Sequence, residues 1–255
     1  ATTVTFPTLI REFAVTTDQV QWVNTLVLLV IATIVPISSQ ISLRFTTRGI
    51  FLAGITFFVL GLVIDIFTPR FDLLLLGRAF QGIGTGIGLP LMYNIILTKV
   101  PKTHLGFMMG IGTMITAAAV ALGPVFGGIV TELLNWRWIF IISIFLAIIS
   151  AFTGTYSITQ LNKLQKVSFK YGQWLTIAVG LVCLMLGFTN LTKNYFWSGQ
   201  VAGCLLLGLA SFLIWGKISW DDPAALISPH SFSSAILKSW SICSFFVIVL
   251  PRLLR

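Results

Sequence analysis

Of the 255 residues, 56% are hydrophobic and 9% are charged, and the formal net charge is +9. Soluble domains carry about 25% charged residues, so a soluble globular chain is excluded. On so apolar a chain the positive excess reads as membrane topology and contact with anionic lipid, not as a nucleic-acid surface.

In chain order, "ATTVTFPTL" at residues 1–9 is too short to span and has neither the charged n-region nor the apolar h-region of a signal peptide. It reads as the last turns of a truncated first helix. Apolar runs then follow at 20–43, 50–68, 73–99, 105–131, 137–158, 172–190 and 200–217. Each is about 18 residues or longer, enough to cross about 30 Å of hydrocarbon as a helix. Backbone polar groups in lipid must be satisfied within the segment, and the runs lack the alternation of barrel strands. The expected fold class is therefore all-α, a polytopic transmembrane helix bundle.

Short polar connectors such as "RFTTRG" (44–49) and "PRFD" (69–72) separate the runs. Trp22, Trp136, Trp138, Trp174, Trp197 and Trp215 fall near span ends, where amphipathic rings prefer the headgroup level. If the chain enters from the outer side and alternates, the inner connectors hold Arg44, Arg48, Lys99, Lys102, Lys163, Lys166, Lys170, Lys217 and Lys238. The outer ones hold Arg11, Arg70, Arg137 and Lys193. That imbalance satisfies the positive-inside rule.

The polar segment 159–171, "TQLNKLQKVSFKY", reads as a cytoplasmic linker after the sixth helix, counting the truncated first one. The expected organisation is an N-terminal six-helix bundle at 1–158, the linker at 159–171, two additional helices at 172–217 and the start of a further half at 218–255. Within that last part "SICSFFVIVL" (241–250) is too short to cross, so the chain reads as truncated at both ends.

Within the run 73–99, "LLLLGRAFQGIGTGIGLP" (73–90) places Arg78 and Gln81 among apolar residues and glycines. At about 100° per residue, Arg78, Gln81, Gly82 and Thr85 share a sector of roughly 100°, a stripe suited to a protein or water-filled interior. An ionisable residue inside a span costs at least about 2.5 kcal/mol and is by default a functional hypothesis. The alternative is a snorkelling arginine, because Arg78 lies near the start of its span. Gly82 with Gly86, and Gly84 with Gly88, form small-xxx-small pairs on two sides of the helix, as close packing in lipid favours. "GIGTGIG" has neither the register nor the preceding strand of a phosphate-binding loop.

In the run 105–131, Gly112, Thr116, Ala119, Gly123 and Gly127 form one small-residue stripe. Pro124 interrupts it and should bend the helix. Tight packing and a sealing face between moving helices are both open readings. Asp65 lies near the outer end of its span and reads as interfacial, near Arg70, in preference to a proton carrier. Asn24, Thr25, Tyr93 and Asn94 are candidates for a substrate path or for interhelical hydrogen bonds. His104, His230, Cys183, Cys204 and Cys243 have no metal-ligand spacing. No nucleophilic triad, paired carboxylates or nucleotide loop is present, so neither an enzyme nor an ATP-driven pump is expected, and no cofactor or metal.

"LLLLGRAFQGIGTG" resembles the fourth-helix motif of the major facilitator superfamily, at Arg78, Gln81 and Gly82. "LGPVFGG" resembles the fifth-helix antiporter motif Gly-Pro-x-x-Gly-Gly, at Gly123, Pro124, Gly127 and Gly128, and "NWRWIF" (135–140) resembles the start of the sixth helix. Together they resemble the N-terminal portion of 14-span drug:proton antiporters of the EmrB/QacA type, covering the chain to about residue 217 and weakening after 171.

The resemblance implies the superfamily fold and proton-coupled efflux of drugs or amphipathic compounds across a bacterial plasma membrane. It implies proton coupling at Arg78, with Gln81 as its hydrogen-bonding neighbour. Sealing of one access state falls to Gly123, Pro124, Gly127 and Gly128, and runs 172–190 and 200–217 would be the two extra helices. The expected partners are the lipid bilayer, a small-molecule substrate and protons, and the complete protein would be monomeric. Two departures stand out. The loop after the second helix, "SQISLRFTTR", keeps only Arg44 and Arg48 of its motif, with Leu43 in place of the acid. The family's first-helix acid would lie upstream of Ala1, which leaves Arg78 without a named carboxylate partner. The alternatives are a metabolite transporter on the same fold and a truncated remnant that lacks the C-terminal bundle and does not transport.

Overall fold

A computed structural model describes residues 5–158, 160, 171–191 and 199–220. Apart from Gln160 and Tyr171 the expected linker lies outside the described residues, as do Trp197, Lys193, Lys238, His230, Cys243 and the run 241–250.

The elements are α1 (Phe6–Phe13), α2 (Thr17–Arg44), α3 (Thr47–Phe67), α4 (Phe71–Lys99), α5 (Leu105–Leu133), α6 (Arg137–Ser157), α7 (Tyr171–Leu191) and α8 (Gly199–Trp220). Among the described residues there is no strand. Each of the seven long helices begins and ends within three residues of an apolar run. Six of them, α2 to α6 and α8, are long and apolar enough to cross a membrane. The chain is a multi-pass membrane protein with an all-α fold.

Local chemistry sets the helix starts. Thr16 caps α2: its hydroxyl accepts from the Gln19 N–H at 3.3 Å, and the Gln19 side chain accepts from the Thr16 N–H at 2.9 Å. This reciprocal box satisfies two N–H groups that the helix itself cannot. Thr46 caps α3 by accepting from the Gly49 N–H at 3.2 Å. Ala14, with φ 51°, ends α1 in the left-handed region.

Two compact units, residues 1–168 and 169–255, make up the chain. In the first, α4 packs against α2 and α3, and α3 also against α6. Leu9, Val20, Val23, Leu62, Leu74, Trp136 and Phe140 form a core that draws α1, α2, α3, α4 and the start of α6 together. Trp136, expected at the headgroup level, is instead buried there. Its ring packs edge-on against Phe13 and Phe140, and its indole N–H donates to the Glu12 carboxylate. Arg137 completes this cluster with an ion pair to Glu12 at 2.8 Å. Trp138 keeps the exposure expected of an interfacial ring. In the second unit, α7 and α8 pair through glycines that seat leucines, Gly187 beneath Leu205 and Gly208 beneath Leu184.

The α3–α4 contact positions the site. Gly54 and Gly61 on α3 meet Gly84 and Gly77 on α4, so each helix offers two glycines seven residues apart. A Cβ on Gly84 would stand 2.5 Å from the Gly54 carbonyl oxygen, and one on Gly61 would run into the Gly77 carbonyl oxygen. Such backbone proximity is open only to residues without a side chain. Gly82 and Gly86 serve the opposite face, where Val30 and Ile34 of α2 fill the space a Cβ would need. Gly88 differs from its expected pairing with Gly84: a Cβ there would meet nothing within 4 Å. It borders an apolar cavity of about 440 Å³ between α3, α4 and α6.

Candidate functional site

Arg78 and Gln81 stand one turn apart on α4, and both are buried, at 8% and 5% exposure. The Arg78 Nη1–H donates to Gln81 Oε1 at 3.0 Å. The Gln81 Nε2–H donates in turn to Asp65 Oδ2 on α3 at 2.7 Å. Arg78 Nε lies 3.5 Å from the same Oδ2, and Asp65 is fully buried. The carboxamide thus bridges a cation and an anion, and those two contacts fix which way it points. Phe140 of α6 closes the far side, its ring centroid 4.9 Å from the guanidinium carbon.

Two sequence expectations change here. Asp65 does not sit with the exposed Arg70; its side chain turns inward and is fully buried. Depth along the span misled, because the helix face decides burial: Asp65 lies within about 40° of both Gly54 and Gly61 on the same α3 face. The last turn of α3 therefore presses its carboxylate against α4. Nor does Arg78 snorkel, since its head group is held inward by Gln81, Asp65 and Phe140. The carboxylate partner that the sequence left unnamed is Asp65.

Gly77 is the second residue that sequence reasoning missed. A Cβ on it would collide with Asp65 Oδ1, so its missing side chain is the space the carboxylate occupies. The signal was present as two seven-residue glycine spacings, Gly54 to Gly61 and Gly77 to Gly84, with Asp65 and Gln81 on the same two faces.

Arg78, Gln81 and Thr85 line a cavity of about 260 Å³ together with Val27 of α2 and Phe140 and Ser143 of α6. The polar stripe of α4 faces this space. Phe58 and Thr85 border both this cavity and the apolar one, while the Thr85 hydroxyl donates to the Gln81 carbonyl at 2.9 Å.

The other candidates are dispersed. Asn24 and Thr25 are half-buried on α2. Asn94 Nδ2 donates to Ser42 Oγ at 3.3 Å, tying α4 to α2, and Tyr93 turns its ring toward Gly112 of α5. On α5, which is continuous through Pro124, Gly127 is buried, Gly123 and Gly128 are half-buried and Pro124 is exposed. Arg44 and Arg48 are exposed on either side of the α2–α3 connector. There the Thr47 N–H donates to Gln160 Oε1 at 3.1 Å, a tie the sequence did not signal. Among the described residues no group of three metal-ligating side chains occurs.

The model of the Major Facilitator Superfamily matches residues 1–219. The chain belongs to that superfamily. Among similar proteins, the MFS-type transporter YcnB of Bacillus subtilis is 30% identical over 82% of this chain and 44% of its own length. Lincomycin resistance protein LmrB of Bacillus subtilis is 29% identical over 96% of this chain and 52% of its own. Multidrug resistance protein 3 of the same organism is 26% identical over 89% of this chain and 45% of its own. The chain spans about half the length of the curated relatives it matches.

Proposed function

We propose that this chain forms part of a secondary active transporter of the bacterial plasma membrane, one that exports drugs or amphipathic compounds in exchange for protons by alternating access. The observation that carries the reading is the buried Arg78–Gln81–Asp65 network bordering a cavity, since ionisable groups inside a bundle mark ion and substrate pathways. Relatives named for lincomycin and multidrug resistance support drugs as the substrate class. The apolar cavity reached past Phe58 and Thr85 suits a lipophilic substrate.

In this reading the protein is a 14-span drug:proton antiporter. Its six-helix bundle spans 1–158, the linker is 159–171, α7 and α8 are the two extra helices, and 218–255 begins the second half. Arg78 and Gln81 couple transport to protons. Gly123, Pro124, Gly127 and Gly128 seal one access state, Gly82 and Gly86 hold α4 against α2, and Arg44 and Arg48 border the cytoplasmic gate. Asn24, Thr25, Thr85, Tyr93 and Asn94 flank the substrate path.

The test is ethidium efflux from cells expressing the protein with its native flanking sequence. Collapse of the pH gradient should abolish efflux, and Arg78→Ala at matched membrane levels should do the same. Efflux that survives both would overturn the proton-coupled reading.

A further inference from the structure

We propose that Asp65 is the proton-binding group of this bundle and that its protonation state decides whether Arg78 is paired within the bundle or presents its charge to the cavity. The inference rests on the proton-coupled reading above and adds the identity of the group that takes the proton.

The geometry separates the two carboxylate oxygens. Oδ2 is engaged, by the Gln81 amide at 2.7 Å and by the guanidinium at 3.5 Å. Oδ1 has no hydrogen-bond donor among the described residues. It shares the space over Gly77 with the Gly61 carbonyl oxygen, another acceptor. A position bordered by two acceptors and no donor is one that a proton improves.

The exchange balances simply. A hydronium ion gives its proton to Asp65: one O–H bond of the hydronium breaks, one forms on the carboxylate, and water is left behind. The Asp65–Arg78 site passes from neutral to one net positive charge, all of it on Arg78. The guanidinium loses its counter-charge but keeps Gln81 Oε1 and the face of Phe140, both of which border the cavity. Loss of the proton to water restores the pair. A cationic substrate in the cavity would be repelled by the protonated site and tolerated by the paired one, which makes proton and substrate mutually exclusive.

Among the described residues no other ionisable group competes at this position. From α4 only Arg78 faces Asp65, because Asp72 is exposed. From α6, Arg137 is paired with Glu12 of α1. The spanning part of α2 that borders the cavity carries no charged side chain, and Arg70 between α3 and α4 is exposed. Gln81 is a positioning residue, since it acts by holding Oδ2 and Nη1 at once.

The test uses the protein with its native flanking sequence, purified in lipid nanodiscs. Infrared difference spectra between acid and alkaline conditions should show the C=O stretch of a buried carboxylic acid, shifted by 13C-aspartate labelling. That band should vanish in Asp65→Asn and persist in Glu12→Gln and Asp72→Asn. Adding ethidium in weak buffer should release protons from the unaltered protein and at least tenfold fewer from Asp65→Asn. If Asp65→Asn does not fold, Asp65→Glu decides, because its band should lose sensitivity to 13C-aspartate while still titrating. A band that persists in folded Asp65→Asn, or keeps its aspartate sensitivity in Asp65→Glu, overturns the proposal. If the band is assigned to Asp65 but cellular efflux ignores the pH gradient, the export reading fails while the proton site stands.

Discussion

Helices α4 and α5 are both 29 residues long, glycine-rich and contain one proline each, yet the bundle holds them differently. On α4, Gly82 and Gly86 admit α2 on one side, and Gly77 and Gly84 admit α3 on the other. On α5 only Gly112, Gly127 and Val130 are buried, and Met114, Ile115, Val120, Leu122 and Val125 are exposed. Glycine spacing alone therefore does not decide packing. Complementary partners do, as Gly54 and Gly61 of α3 show by meeting the α4 glycines backbone to backbone. The same closeness that glycine permits is what brings Asp65 to Gln81 and Arg78.

The sharpest way to break this comparison is to remove charge from α4 and polarity from α5. Arg78→Ala strands the Asp65 carboxylate, and loss of one partner of a buried ion pair costs about 3–5 kcal/mol. Thr116→Ala on α5, whose hydroxyl donates only to carbonyls of its own helix, should change stability by less than about 0.5 kcal/mol. Reversible unfolding in mixed detergent micelles measures both, and equal losses would contradict the contrast.

Backbone closeness gives the next largest effect. Gly84→Ala forces a Cβ against the Gly54 carbonyl and Phe58 and should destabilise by about 1–3 kcal/mol. On α5, a Cβ at Gly110 meets nothing within 4 Å. There Gly110→Ala should gain up to about 1 kcal/mol from helix propensity. Gly88→Ala sharpens the point within α4 itself: its open surroundings should make it behave like Gly110→Ala and not like Gly84→Ala.

The smallest effect concerns polar ties. Asn94→Ala removes the hydrogen bond to Ser42 between α4 and α2, worth about 0.6 kcal/mol for an interhelical bond in a membrane bundle. Thr113→Ala on α5 loses only a bond to its own helix and should lie within measurement error in the same unfolding assay.

Much of the fold was legible because hydrocarbon imposes it: run length and the need to satisfy the backbone locally yield the helices, their order and their approximate ends. The inward stripe of Arg78, Gln81 and Thr85 followed from helical periodicity for the same reason. Asp65 was legible in kind but not in place, since depth along a span was weighed before the face it shares with Gly54 and Gly61. Position near a span end suggests a belt residue at Trp136 but does not reveal that Phe13, Phe140 and Glu12 pack around it. The tie from Gln160 to the Thr47 N–H joins residues 113 apart in sequence, and no local pattern encodes a contact of that range.

The central claim is that Arg78 and Asp65 form one energetic unit through Gln81. A double-mutant cycle of Asp65→Asn and Arg78→Gln, read by reversible unfolding of the protein in detergent, tests it most directly. The account expects the double variant to be more stable than the sum of the single losses implies, by about 0.5–3 kcal/mol. Losses that add to within about 0.3–0.5 kcal/mol would contradict it.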